Sequence, residues 1–428
     1  MNPSPVKYAA FIGIDWADQK HDLWLQPADG STSEHSTLEQ TPAAIQNWIS
    51  QLRQRFRGQP LAIGIERSRG PLLYALMHCE FLIIYPINPK SLARYRQAFR
   101  PSGAKDDRSD AYLLCLFVQT HHRELTAWKP DDVQTRTLAG LVERRRNWVD
   151  QATGLQLRLR AVLKAYYPVM LELFGDHLAT AMACHFLQKW PDPQSLQKAR
   201  PASLRQFFHL HHSRSEQRIQ DRLQTIQQAQ PLTQDAGVIV PHRMDALIAV
   251  KLLLTLHHQI GELEQQIAQV FAAHPDAFIF EGLPGAGPTL APRLLAAFGS
   301  DREKFPDAKA VQQLSGIAPI TVKSGQSECQ FFRLSAPKFL HQTFWEFAKC
   351  SLVSCPWAQA VVTHLMKEKG LSFNAAVRAL AFKWIRILWR LWKSRQTYQE
   401  DIYLDSLRRK KSRHLPTPSS GNNFSPAT

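Results

Sequence analysis

Two short apolar runs, each stopping on an acid, constrain this chain more than any other feature. Phe11-Ile-Gly-Ile-Asp15 closes the run from Tyr8, and Ile63-Gly-Ile-Glu66 closes the run from Leu61. Runs of this length, followed by polar residues, read as buried strands of an α/β domain. Lys20 to Gln26 reads as a hairpin partner of the first strand, with Pro27 to Gly30 as turn material. Leu82 to Ile87 adds a third apolar strand, and Thr41 to Arg55 reads as a helix. Asp107 to Thr120 is expected to be helical, with Ala111, Leu114 and Val118 on one face.

The acids matter by position. Asp15 and Glu66 stand at strand ends, where a parallel or mixed sheet presents its active-site edge. Asp107 and Asp110 are three apart at a helix start and so face the same way. Carboxylates gathered together repel one another, and bound divalent cations relieve that repulsion. Two Mg²⁺ ions held this way can activate a nucleophile and stabilise the leaving oxygen of a phosphodiester. The plainer reading is that each acid is a cap or turn residue, and that Asp107 merely caps the helix carrying Asp110. Four acids in this order, in a basic chain, favour the metal reading.

The basic balance points to a polyanion. Lys and Arg outnumber Asp and Glu by 52 to 36 among 428 residues, a net charge of +16. Nucleic acid is the usual partner of such a surplus. Lys90, Arg94, Arg96, Arg100 and Lys105 cluster near the acids, and phosphate binding is expected there. Six scattered cysteines offer no C-x-x-C pair, hence no zinc spacing, and fit a reducing cytosol. Asp15 and Asp18 follow the short apolar run near the start, so no signal-peptide pattern is expected. The most apolar late segment, Ser372 to Trp392, carries Arg378, Lys383, Arg386 and Arg390, which rules out an ordinary membrane span. A cytoplasmic protein with no membrane partner is the expectation.

Beyond the α/β region the periodicity changes. Leu138, Leu141, Trp148, Ala152, Leu155, Leu159, Val162 and Tyr166 follow steps of three and four, broken at Arg145. Ala246, Ala249, Leu253, Leu256, Ile260, Leu263, Ile267 and Val270 form a second, cleaner seam. Heptad seams can pair within one chain or between subunits, and both remain open. Between them, Pro191 to Gln234 is polar, and its His209, His211 and His212 read as surface residues, not as a metal cluster. Leu283-Pro-Gly-Ala-Gly-Pro288 resembles a helix-hairpin-helix turn. The backbone at Gly285 and Gly287 could approach a DNA phosphate, or simply turn between packed helices. Arg386 and Arg390 join Arg378, Lys383 and Lys393 in a late basic stripe interleaved with Trp384, Trp389 and Trp392. Stacking and phosphate contacts compete there with core tryptophans beside a solvated face, and the latter is favoured.

The chain therefore divides into an α/β domain over 1–128 and a helical, coiled-coil region with a polar insertion over 129–275. A mainly α domain over 276–398 follows, then a basic tail over 399–428 that is expected to be disordered.

The motifs Phe11-Ile-Gly-Ile-Asp15, Ile63-Gly-Ile-Glu66, Asn88-Pro-Lys and Lys105-Asp-Asp-Arg-Ser-Asp-Ala111 resemble the RuvC-like (RNase H-like) domain of DEDD insertion-sequence transposases. Asp107 and Asp110 fit that family's last acidic pair, whereas Asp106 falls on a variable position. Leu283 to Pro288, Leu314-Ser-Gly-Ile-Ala-Pro319 and Lys323-Ser-Gly325 resemble the same family's C-terminal transposase domain. The resemblance implies metal binding by Asp15, Glu66, Asp107 and Asp110, with Mg²⁺ as the ion and Mn²⁺ as its substitute. It implies that Ser324 is a nucleophile on DNA, with Ser315 and Ser327 as rivals in register; after Gly325, Gln326-Ser-Glu-Cys departs from the family pattern. It further implies excision and insertion of a mobile element, guidance by a structured bridge RNA, and a homodimer or homotetramer. Two other readings stand beside it: a RuvC-like junction-resolving nuclease using water, and a non-catalytic nucleic-acid-binding protein.

Overall fold

The computed structural model describes residues 6–66, 70–99, 107–325, 327–333 and 335–409. The chain separates into two units, Met1–Asp131 and Asp132–Thr428. The helical middle and the mainly α domain, expected as separate, therefore share one unit.

In the first unit the apolar runs become β1 (Ala10–Asp15), β4 (Leu61–Ile65) and β5 (Leu82–Pro86). Between β1 and β4 lie β2 (Lys20–Pro27), β3 (Glu34–Glu39) and α1 (Pro42–Arg55). Helices α2 (Pro71–Leu76), α3 (Pro89–Phe99) and α4 (Asp107–His121) complete the unit. The sheet order is β3-β2-β1-β4-β5, with β1, β4 and β5 parallel and β2 antiparallel to both neighbours. Strand β3 was not expected. Its residues Glu-His-Ser-Thr-Leu-Glu are polar and mostly exposed, as an edge strand allows, so no apolar signal marks it.

Side-chain alternation sorts the two faces of the sheet. Ala10, Ile12 and Ile14, with Leu61, Ile63 and Ile65, pack against Ile45, Leu52, Leu72 and Leu76 of α1 and α2. Phe11 and Ala62 face the other way, toward Leu113, Leu114, Cys115 and Val118 of α4. On that face Gly13 and Gly64 are what let α4 lie on the sheet. A Cβ at Gly13 would fall 1.9 Å from the Ala111 carbonyl oxygen and 2.4 Å from the Cys115 nitrogen. At Gly64 it would fall 2.7 Å from the Leu114 oxygen. The glycine of each strand motif is thus a packing requirement. Gly13→Ala should destabilise the protein by about 3 kcal/mol or more, because backbone cannot yield as a flexible side chain does. Gly154→Ala is the control: nothing lies within 4 Å of its added Cβ, and it should be neutral or stabilising. Urea unfolding of both variants checks this, and equal midpoints would overturn it.

The second unit is built on two long helices. Asp132 caps α5 (Val133–Tyr166) by accepting from the Thr135 N–H. Five short helices follow: α6 (Val169–Phe174), α7 (Ala181–Lys189), α8 (Pro193–Gln197), α9 (Pro201–Leu210) and α10 (Glu216–Gln228). Then comes α11 (Ala236–Ala272), which packs lengthwise on α5 within the same chain. The pair is antiparallel: Arg145 meets Glu264, and Arg158 meets Asp245. The polar insertion is folded, since Phe207, Phe208, Ile219, Leu223 and Ile226 are buried with Leu159, Leu163 and Val250. Its histidines hold no metal arrangement: His211 packs on the Phe207 ring at 4.4 Å, and His209 is exposed.

The other end of the long pair carries α12 (Ala277–Glu281), α13 (Gly287–Phe298), α14 (Ala308–Leu314) and the hairpin β6 (Ile320–Ser324) and β7 (Ser327–Phe331). It continues with α15 (Lys338–Ser351), α16 (Pro356–Lys367), α17 (Phe373–Ser394) and α18 (Glu400–Arg409). Trp357, Trp384 and Trp392 are fully buried in this core. Each indole N–H donates to an acceptor: Tyr398 Oη at 2.9 Å, Ser351 Oγ at 2.9 Å and the Gly299 carbonyl at 2.7 Å. The disordered tail expected from 399 is corrected over its first part. Helix α18 lays Tyr403, Leu404 and Leu407 on the same core, an apolar stripe that the adjoining Arg-Arg-Lys-Lys run concealed. The rest of that tail, 410–428, lies outside the described residues.

Candidate active site

Strand parity decides where the first two acids point. Asp15 follows Phe11 and Gly13 by steps of two, so it belongs to the face covered by α4. Glu66 follows Ala62 and Gly64 in the same way. The parallel register pairs Gly13 with Gly64 and Ile14 with Ile65, so one further step sets Asp15 beside Glu66. Both are partly buried.

Helix α4 brings the second pair to the same end. Ala111 sits over Gly13, and the Cys115 thiol donates to the Phe11 carbonyl at 3.3 Å. The helix therefore runs back along β1, and its first turn lies at the strand's carboxyl end. Asp107 and Asp110 occupy that turn, where the helix dipole favours negative charge. Asp107 is exposed, while Asp110 is 1% exposed. Arg96 of α3 donates to one Asp110 oxygen, from Nε at 2.8 Å and Nη2 at 2.7 Å.

The four acids thus share a sheet edge but do not converge. Among the described residues, no three His, Cys, Asp or Glu side chains are arranged to hold a metal ion. The donor chemistry still fits magnesium, a hard cation that takes carboxylate oxygens. Asp110 is already engaged, because the Arg96 guanidinium holds it. Sequence reasoning grouped Arg96 with the outward cations. Lys90 and Arg94 are indeed exposed, but Arg96 turns inward. Residues two apart on a helix do not share a face, and that spacing was the available signal. Arg100 and Lys105, and Asp106, lie outside the described residues.

In the second unit Ser324 ends β6 and is exposed at the tip of the hairpin, in register with Ser327. Gly325 follows with φ 60°, the left-handed turn conformation. Lys323 and Glu328 pair across the strands at 2.7 Å. Ser315 is fully buried, and its hydroxyl donates to the Gln312 carbonyl at 3.2 Å. Of the three serines, Ser324 and Ser327 are accessible and Ser315 is not.

The glycine-rich turn has a packing role of its own. Gly285 has φ 78°, and a Cβ there would lie 2.6 Å from the Cys350 carbonyl group of α15. Gly287 starts α13 with φ 53° and open space around it. On α17, Arg386 and Arg390 are exposed and four apart. Their neighbours are engaged: Arg378 lies 4.3 Å over the Phe332 ring, and Lys393 donates to the Arg302 carbonyl and to Glu303. Burial, then the nearby Arg386 charge, lowers the Lys383 pKa.

Comparison with known proteins bears on both units. A model of DEDD transposases matches residues 12–168, and a model described as the IS116/IS110/IS902 transposase family matches residues 277–363. The chain belongs to this transposase family. The first match spans Asp15, Glu66, Asp107 and Asp110; the second spans Gly285, Gly287 and Ser324. The "mini-circle putative transposase for IS117" of Streptomyces coelicolor is 28% identical over 399 residues, covering 91% of this chain and 95% of that protein. An uncharacterized 44.8 kDa protein of insertion element IS116 from Streptomyces clavuligerus is 22% identical, with 91% and 96% covered. An uncharacterized 42 kDa protein of IS900 from Mycobacterium paratuberculosis is 23% identical, with the same coverage. Among the described residues, no helix of this transposase is long and apolar enough to cross a membrane.

Proposed function

We propose that this transposase is a site-specific DNA recombinase that excises and inserts its own mobile element by cutting and rejoining strands. The observation that carries the reading is the meeting of Asp15, Glu66 and the first turn of α4 at one sheet edge, in a chain of a transposase family. The strand order 3-2-1-4-5 with an antiparallel second strand supports a RuvC-like, RNase H-like assignment of the first unit.

In this reading Asp15, Glu66, Asp107 and Asp110 hold Mg²⁺, or Mn²⁺ in its place. When bound, the ion supplies Lewis-acid polarisation of a phosphodiester oxygen. Asp15 and Glu66 set its position from rigid strand ends, and α4 adds the other pair. The Ser324 hydroxyl attacks the phosphorus. An Oγ–P bond forms, one P–O bond to deoxyribose breaks, and the leaving oxygen takes up a proton equivalent to the one serine gives up. The phosphoserine ester keeps the bond's energy, so the reverse attack by another strand's hydroxyl rejoins DNA without a further energy source. Lys90, Arg94, Arg100, Lys105, Arg386 and Arg390 contact phosphates, as does the backbone at Gly285 and Gly287.

A structured bridge RNA selects the two DNA sites, and two or four copies act together in the cytoplasm. The test uses duplexes bearing the element's ends and target, with the RNA transcribed from the element's flank. Joined product is expected only with RNA and Mg²⁺ both present. Nicked but never joined DNA would favour the water-using junction nuclease instead, and no product at all would favour a non-catalytic binding protein.

A further inference from the structure

We propose that Arg96 is the resident counter-cation of the carboxylate site, and that a divalent ion must displace it from Asp110 in order to bind. The inference rests on the metal reading of the four acids given above.

The geometry is that of an occupied ligand. Two guanidinium N–H groups converge on one Asp110 oxygen at 2.8 and 2.7 Å. The Asp110 side chain is 2% exposed and that of Arg96 15%. A carboxylate so buried must be paired, because a lone buried charge is strongly unfavourable. A dication seeking the same oxygen would meet a fixed positive charge beside it. Arginine and metal therefore compete for one ligand.

The plainer account is that the pair pins α3 to α4. Helix α3 does not depend on it. Leu92 is fully buried, and the Tyr95 ring packs edge-on against Phe117 of α4 at 4.9 Å and against His121 at 6.0 Å. Apolar contact already docks the helix, which leaves Arg96 free to change partner. Its position relative to the outer cations suits such a change. Arg94 and Arg96 are roughly 200° apart around the helix at 3.6 residues per turn. Lys90 and Arg94 therefore stay outside for phosphates while Arg96 serves the carboxylates. Without metal, the arginine neutralises the buried Asp110 carboxylate. It also keeps a DNA-cutting site unassembled while the ion is absent.

Calorimetric titration of the full chain with Mn²⁺ tests this without requiring catalysis. Arg96→Gln should bind Mn²⁺ about 10-fold or more tightly than the unaltered protein, the scale of a typical coupling between two bound charges. Arg96→Lys keeps the charge and should stay near the unaltered protein, which also guards against a folding defect in the glutamine variant. Asp15→Asn added to Arg96→Gln should remove the binding. Equal or weaker binding by Arg96→Gln, with binding still lost on Asp15→Asn, would overturn the arginine's role and leave the four-carboxylate site standing. Binding that survives Asp15→Asn would overturn that site itself, and the displacement with it.

Discussion

Asp15→Ala should lower strand cleavage at least ~1,000-fold, because a bound metal supplies several kcal/mol to the transition state and each 1.36 kcal/mol is tenfold in rate. The effect should be confined to chemistry. Asp15 is the last residue of β1 and only partly buried, and the strand's core contacts come from Ala10, Ile12 and Ile14. Its replacement removes no core contact, so stability should change by about 1 kcal/mol or less. The measurement is single-turnover cleavage of element-end DNA, beside a melting curve. Equal cleavage by both proteins would sink the catalytic role of the acid cluster. A large drop in melting temperature would show Asp15 to be structural.

Ser324→Ala should abolish strand joining and the covalent protein–DNA adduct together. Both depend on one Oγ, and alanine has no substitute for it. The residue is exposed at a hairpin tip, so its loss costs no packing. The register gives a built-in control. Ser327 faces Ser324 across the turn, and Ser327→Ala should keep both adduct and joining. Ser315 is buried and donates within the chain, so its replacement should affect stability more than chemistry. Denaturing gels of DNA trapped on protein read the adduct directly. If Ser324→Ala still cuts but never joined even as the unaltered protein, water is the nucleophile and the nuclease reading holds. If Ser327→Ala loses the adduct instead, the nucleophile is the neighbour.

Much of this was legible in the residues. The apolar runs ending at Asp15 and Glu66, the helix opening at Asp107 and the two long seams are all local patterns, and local patterns survive translation into elements. The polar edge strand Glu34–Glu39 was not legible, because it buries almost nothing. Nor was the helix Glu400–Arg409, whose apolar stripe is short and adjoins a basic run. The seams named their helices but not the partner. Their pairing within one chain became visible only in the antiparallel contacts of Arg145 with Glu264 and Arg158 with Asp245.

What the sequence determined by itself is the identity and order of the four acids and the strand ends that carry two of them. Alternation along a strand is a property of the backbone, so Asp15 and Glu66 had to share a face with Gly13 and Gly64. What only the tertiary structure decided is how near the acids come and what else is there. Close approach of α4 depends on missing Cβ atoms meeting backbone from a segment some hundred residues away in the case of Gly13 and Cys115. The turning of Arg96 onto Asp110 depends on α3 docking beside α4 through Leu92 and Tyr95. Composition counts a charge but cannot say which side of a helix it occupies once that helix is packed, and here that side separates a phosphate contact from the counter-cation of an active-site acid.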